Sequence, residues 1–333
     1  MKPYNVYGIG HALVDVEYHV DEAFLLQAGL PKGSMTLVDA QRQNHLVTTL
    51  TSPVVHRSSG GSASNTMVGL AQLGGQCFHS CKIADDELGH FFTADMRANG
   101  VDNAAHPCHT REGETGRCLV MITPDAERTM VTHLGVSETF SRENLSEHHL
   151  SQAEYLYIEG YLVSSPVTLE AATMAKKMAQ SHGVKTALTF SDVSMIQYFR
   201  EGIDKLVSGG LDLLFCNENE ALRFTNTDQL DVAISRLKEI AKSFCLTLGP
   251  RGAVLFANGT RVDLPGMTVN AVDTNGAGDL FAGGFLYGIT HGYSLAQAGG
   301  LAIQLSAQLV TQYGARLQPG QANQIKMNFG GHP

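Results

Sequence analysis

The chain has 333 residues, 43% of them hydrophobic and only 17% charged; this suffices for a sizeable core, as one large α/β domain or a large domain with a smaller one, and excludes a disordered chain. Its 23 basic and 32 acidic side chains leave a formal charge of −9, and no basic run exceeds Lys176-Lys177, which makes nucleic acid a poor partner. The start lacks the basic and apolar regions of a secretion signal, and no stretch nears the roughly 18 uninterrupted apolar residues of a membrane span, so a soluble cytoplasmic protein is expected.

In chain order, Tyr4 to Ile9 reads as a buried strand and His11 to Tyr18 as a strand of a separate flap. Val54 to Arg57 reads as a strand that passes through Gly60-Gly61 into a helix from about Ser62 to Leu73, stopped by Gly74. Asp86 to Asn99 is predicted helical, with Gly100 just past its end. His106 to Leu134 reads as antiparallel strands joined by the polar turns Arg111-Glu112-Gly113-Glu114 and Pro124-Asp125-Ala126-Glu127.

From Tyr155 onward the alternation is regular. Strands are predicted at Tyr155 to Ile158, Lys185 to Phe190, Leu211 to Cys216, Phe244 to Leu248 and Ala253 to Phe256. Helices are predicted at Val167 to His182, Ser194 to Val207 and Leu230 to Lys242. The order predicts a doubly wound α/β core with a mostly parallel sheet. The large domain is expected to comprise residues 1–10, 40–105 and 138–333, and a small β-sheet lid residues 11–39 and 106–137.

Six cysteines (Cys77, Cys81, Cys108, Cys118, Cys216, Cys245) fall at irregular spacings without a Cys-x-x-Cys pair and read as reduced, buried thiols. The 14 histidines show no metal-ligand spacing. The strongest chemical signal is Asp273-Thr274-Asn275-Gly276-Ala277-Gly278-Asp279, followed by an apolar helix to about Thr290. Three small residues opening a helix let consecutive backbone N–H groups face one point, which makes an anion hole. A carboxylate at its entrance, Asp279, can take a proton from an attacking hydroxyl while those N–H groups stabilise charge on a moving phosphoryl group.

This run resembles the C-terminal signature of the PfkB, or ribokinase-like, family of carbohydrate kinases, Asp-Thr-x-Gly-Ala-Gly-Asp-x-Phe-x-x-Gly, at every fixed position. Gly60-Gly61-Ser62-Ala63-Ser64-Asn65-Thr66 resembles the family's Gly-Gly-x-x-x-Asn motif. The resemblance implies a ribokinase-like fold and transfer of the γ-phosphoryl of ATP to a hydroxyl, with Asp279 as base, Gly276, Ala277 and Gly278 as the anion hole, and Asp273 and Thr274 beside ATP. It implies acceptor binding by Asp15, Gly61 and Asn65, the Asn65 amide both donating to and accepting from a diol.

Asn217-Glu218-Asn219-Glu220 resembles the family's Asn-x-x-Glu motif, with Asn217 and Glu220 placing magnesium and phosphates through water; a helix cap at Asn217 competes with that reading. Thr247, Gly249 and Gly252 resemble the nucleotide loop, against a plain turn between strands. Arg128 falls where the adenosine-kinase-like branch has an arginine that reaches the phosphates, against a solvated turn residue, and Tyr161 where that branch has an aromatic near the base. Phe190-Ser191-Asp192 departs from the branch, which often carries an Asn there.

The expected reaction is therefore phosphorylation of a nucleoside, adenosine-like in preference, with a ribokinase- or fructokinase-type sugar kinase as the alternative and a silent nucleotide- or sugar-binding protein as a remote one. ATP and Mg2+ are the implied co-substrate and metal, K+ a possible further cation, and the molecule a monomer or homodimer. Gly8-Ile9-Gly10 without a third glycine argues against a dinucleotide loop, and no P-loop sequence occurs.

Overall fold

The computed structural model of the chain describes residues 2–103, 109–110, 113–125 and 127–330. Cys108, the Arg111-Glu112 part of one predicted turn, Ala126 of the other, and the beginning of the segment predicted from His106 lie outside the described residues. Eight strands form the main sheet in the order Thr260–Leu264, Ala253–Ala257, Ser243–Thr247, Leu213–Asn217, Lys185–Thr189, Ala153–Ile158, Tyr4–Ile9, Cys77–Ser80. The last six are parallel, and the first two close the edge as antiparallel strands.

Alternate residues of the central strands enter two separate cores. Tyr157, Leu213 and Phe215 face the helices Ser62–Gln72, Ala277–Thr290 and Leu295–Leu309 on one side. Leu156, Ile158 and Leu214 face Pro166–Ser181, Glu218–Thr225 and Leu230–Ile240 on the other. Burial of both faces explains why these strands read as unbroken apolar runs. From Tyr4–Ile9 the sheet grows toward Cys77–Ser80 on one side and Ala153–Ile158 on the other, a topological switch point whose crevice opens at the carboxyl ends of the strands.

The second sheet has five strands in the order Met35–Leu37, Arg128–Gly135, Thr115–Ile122, Leu13–His19, Val54–Gly60. The expected antiparallel flap is a mixed sheet, because Leu13–His19 runs parallel to Thr115–Ile122 and antiparallel to Val54–Gly60. Val54–Gly60, assigned from sequence to the large domain, pairs here with Leu13–His19. The helix Ala40–Thr49 joins it through buried Gln43, whose Nε2 donates to the Arg117 and Val131 carbonyls.

The single helix predicted from Ser194 to Val207 is two, Val193–Tyr198 and Arg200–Val207. Phe199 leaves helical backbone at φ −126°, ψ 35°, and its carbonyl accepts from Gly202 and Ile203, starting the second helix afresh. Gly202 allows this helix to press on Val163, where a Cβ would lie 2.9 Å from the valine Cβ. Among the described residues no helix is long and apolar enough to cross a membrane.

Candidate active site

A cleft of about 510 Å3 lies between the two sheets at the carboxyl ends of the main-sheet strands. Of the residues expected at the site, Asp15, Gly61, Asn65, Tyr161, Asn217, Glu220, Thr247, Gly276, Gly278 and Asp279 line it. Arg128, Asp273, Thr274, Ala277, Gly249 and Gly252 are not among its lining residues.

The floor is the start of the helix Ala277–Thr290. Gly276 is its N-cap at φ +75°, and a Cβ there would lie 2.6–2.7 Å from Ala315, so backbone conformation and close approach both demand glycine. Glycine offers no capping side chain, and the N–H groups of the first turn have no carbonyl four residues back. Asp273 braces the turn from outside: its Oδ1 accepts from the Asn275 N–H (3.0 Å) and its Oδ2 from the Gly314 N–H (2.9 Å).

Asp279 is held from the neighbouring helix. Ser62 Oγ donates to Asp279 Oδ1 (2.6 Å) and Asn65 Nδ2 faces Oδ2 at 3.4 Å. Burial pushes the Asp279 carboxyl up to about 6, against the opposing pull of Ser62, Asn65 and Arg316. A carboxylate so tuned is ionised at neutral pH yet close enough to it to accept a proton. Asp15 faces the same cleft and is likewise raised to about 6 by burial, with Arg316 the largest opposing influence. Gly60 opposite leaves the room, since a Cβ there would strike the Asp15 carboxylate.

Asn65, expected to bind the acceptor, lines the cleft and is held by the protein. Its Oδ1 accepts from Arg316 Nε (3.1 Å) and its Nδ2 faces Asp279, so the amide bridges two protein groups. Arg128 is paired in charge with Asp273 Oδ2 (3.3 Å) and Glu17 Oε1 (3.4 Å), with its guanidinium 5.5 Å from the Tyr313 ring centre, while among the described residues its buried Nε and Nη2 have no hydrogen-bond partner. It stands at the junction of lid and floor.

Asn217 and Glu220 form a complete capping box. Asn217 Oδ1 accepts from the Glu220 N–H (2.9 Å), and Glu220 accepts from the Asn217 N–H (2.9 Å) and Nδ2 (2.7 Å). Burial pushes the Glu220 carboxyl up to about 7. Among the described residues no cluster of three or more His, Cys, Asp or Glu could hold a metal. The Asn217–Glu220 pair therefore fits a magnesium ion only through intervening water, which matches its hard oxygen donors and its place on the cleft wall. Gly252 is explained by packing, since a Cβ would strike Leu264 O, whereas nothing lies within 4 Å of a Cβ at Gly249.

The lid sheet brings apolar side chains to the cleft, Leu13, Met35, Leu37, Met130 and Leu134, and Tyr161 joins them from the turn after Ala153–Ile158. Asp192 lines the wall too, but its Oδ1 caps the helix Val193–Tyr198 through the Ser194 N–H (2.7 Å).

Sequence reasoning missed four residues. Ser62 lay inside a quoted motif without a role. Glu159 is buried with its carboxylate accepting from the His11 (3.3 Å) and Ala63 (2.8 Å) N–H groups, tying the two loops that enter the cleft. Buried His11 lines the cleft with Nδ1 on Ser137 Oγ (2.9 Å). Arg316 sits far along the chain with no local motif around it.

A doubly wound sheet, a lid of five strands, and a carboxylate beside a glycine-started helix at the strands' carboxyl ends define a phosphotransferase that takes an alcohol group as acceptor. A family model described as "pfkB family carbohydrate kinase" matches residues 32–321. A solved structure of adenosine kinase from Sinorhizobium meliloti is 36% identical, with a TM-score of 0.88 over 98% of this chain and 99% of that one. A probable sugar kinase from Rhizobium etli is 34% identical, with a TM-score of 0.89 over 99% of both chains. Adenosine kinase of Saccharomyces cerevisiae is 26% identical over 92% of this chain and 94% of its own. The chain belongs to the pfkB family of carbohydrate kinases.

Proposed function

We propose that this chain phosphorylates the primary hydroxyl of a nucleoside, adenosine-like in preference, with ATP as donor. One observation carries the reading: the cleft that holds Asp279 and the glycine-started helix is also lined by Leu13, Met35, Leu37, Met130, Leu134 and Tyr161. A purine offers those side chains a large flat aromatic surface, whereas a free sugar offers only a small patch of C–H groups. The adenosine kinases among its relatives support the same choice, while the Rhizobium etli sugar kinase keeps a sugar acceptor as the second reading.

In this mechanism Asp15 accepts the acceptor's hydroxyls and Tyr161 stacks on its base. Asp279 takes the proton of the primary hydroxyl as that oxygen bonds to the γ-phosphorus; the bond to the β-phosphate oxygen breaks and ADP leaves. The N–H groups of Gly278 and its neighbours in the first turn stabilise the charge on the transferring group. Magnesium, when bound, neutralises phosphate charge, and Glu220 with Asn217 would orient its water shell. Thr247 and Gly249 border the nucleotide, and the five-stranded sheet shuts water out.

The test is a panel of adenosine, inosine, guanosine, ribose and fructose with ATP and magnesium. Adenosine or another purine nucleoside is expected to give the highest kcat/KM, and Tyr161→Ala to lower it about 5- to 100-fold. Ribose or fructose turned over far better than every nucleoside would overturn the acceptor assignment.

A further inference from the structure

Arg316 lies beyond the motifs that define the site, in the loop after the helix Leu295–Leu309, yet its side chain is only 13% exposed. Its guanidinium meets three separate elements. Nε donates to Asn65 Oδ1 (3.1 Å) on the helix Ser62–Gln72, Nη1 pairs with Asp95 Oδ2 (2.9 Å) on Glu87–Ala98, and Nη2 donates to the carbonyl of Ser59 in the last turn of the lid strand Val54–Gly60. Asp95 closes the ring by accepting from the Ser59 N–H (2.9 Å) and hydroxyl.

Two consequences follow from that geometry. An amide whose oxygen accepts from a guanidinium must present its NH2 elsewhere, and Asn65 presents it to Asp279. A planar fork fixes this orientation in a way that a single ammonium does not. The second consequence is charge. Several titratable groups lie within electrostatic reach of Asp279 or Asp15: Asp15 and Glu17 from the lid, Tyr157 from the strand Ala153–Ile158, Glu159 just after it and Tyr161 from the turn that follows. Ser62 and Asn65 face Asp279 from the adjacent helix, and Arg316 is the cation whose field reaches both Asp279 and Asp15. Arg128 reaches Asp15 alone of the two.

We propose that Arg316 is a positioning residue for phosphoryl transfer: it locks the Asn65 amide toward Asp279 and, one side chain removed from that carboxylate, supplies the buried positive charge of the site. The inference rests on the proposed kinase reaction. It predicts that the C-terminal loop acts on the base without touching either substrate.

The experiment uses the full chain and follows kcat, KM and the acid limb of the pH–rate profile. Wild-type enzyme is assayed first; absence of phosphoryl transfer to every acceptor in the panel would sink the kinase reading itself, whereas normal wild-type turnover isolates the Arg316 question. Arg316→Gln is expected to move the acid limb up by about one pH unit, the low end of the shift a nearby opposite charge produces. An unmoved limb overturns the proposal. Arg316→Lys keeps the charge and loses the fork: its limb is expected to stay in place while kcat falls about tenfold with the KM for ATP unchanged. A kcat within twofold of wild type in Arg316→Lys overturns the proposal even where Arg316→Gln does not fold. Asp95→Asn removes the structural ion pair but leaves the guanidinium; a lower melting temperature with the limb in place is expected. A limb shift in Asp95→Asn equal to that of Arg316→Gln would make the effect one of folding and overturn the inference.

Discussion

Two helices that border the cleft each carry an acidic residue at their third position, and they use it in opposite ways. In Glu218–Thr225 the N-cap is Asn217, and Glu220 folds back so that cap and carboxylate satisfy each other's backbone. In Ala277–Thr290 the N-cap is Gly276, which has no side chain to offer, and Asp279 reaches across to Ser62 and Asn65 of another helix. An occupied cap quiets a helix start. An empty one leaves N–H groups and a carboxylate available for chemistry.

The largest effect should come from breaking the second start. Asp279→Asn keeps the shape and removes the base, and kcat is expected to fall about 10²- to 10⁴-fold with the KM for ATP little changed. The wild-type pH profile belongs to the same test. Asp279 acts ionised, so with its carboxyl at about 6 the rate should fall as pH drops through 6; a flat profile down to pH 5 would contradict the assignment.

Gly276→Asn would give the second start the N-cap of the first. Asn tolerates a positive φ better than most residues, but its Cβ still meets Ala315, and a capping oxygen would compete with the anion for the first-turn N–H groups. Loss of one such donor is expected to lower kcat about 10²-fold. A variant with normal kcat would show that these N–H groups are not the anion hole.

The smallest effect is expected at Glu220→Gln. The magnesium needed for half-maximal rate should rise about tenfold, the scale of an outer-shell contact, with kcat at saturating magnesium near normal. Stability provides a second readout. The folded Glu220 carboxyl titrates near 7, above its ordinary 4.5, so the native state holds the proton more tightly and stability declines as pH rises from 4.5 to 7. Glu220→Gln should flatten that decline in denaturant titrations across the window; an unchanged slope would place the proton elsewhere.

The main sheet was legible because strands buried on both faces read as apolar runs and each helix ends at a glycine or a cap; Tyr4 to Ile9 was predicted to the residue. Val54–Gly60 was seen as a strand, but its sheet was not, since strand pairing depends on a partner forty residues away and its exposed Val54 and Val55 lack alternation. The Asp273–Asp279 turn was legible because its chemistry is local. Arg316 was not, because its partners Asn65, Asp95 and Ser59 lie 221 to 257 positions away from it and only the fold brings them together. The contacts of Asn65 with Arg316 and Asp279 were hidden for the same reason.

Gly61 separates the lid strand Val54–Gly60 from the helix that carries Ser62 and Asn65, and at φ +98° its missing Cβ is what lets the His11 carbonyl come close. One residue of main chain, together with the Arg316 bridge from Ser59 to Asn65, therefore joins the roof of the cleft to the side chains that hold Asp279. A swing of the roof would strain the same hydrogen bonds that hold Asn65 against Asp279.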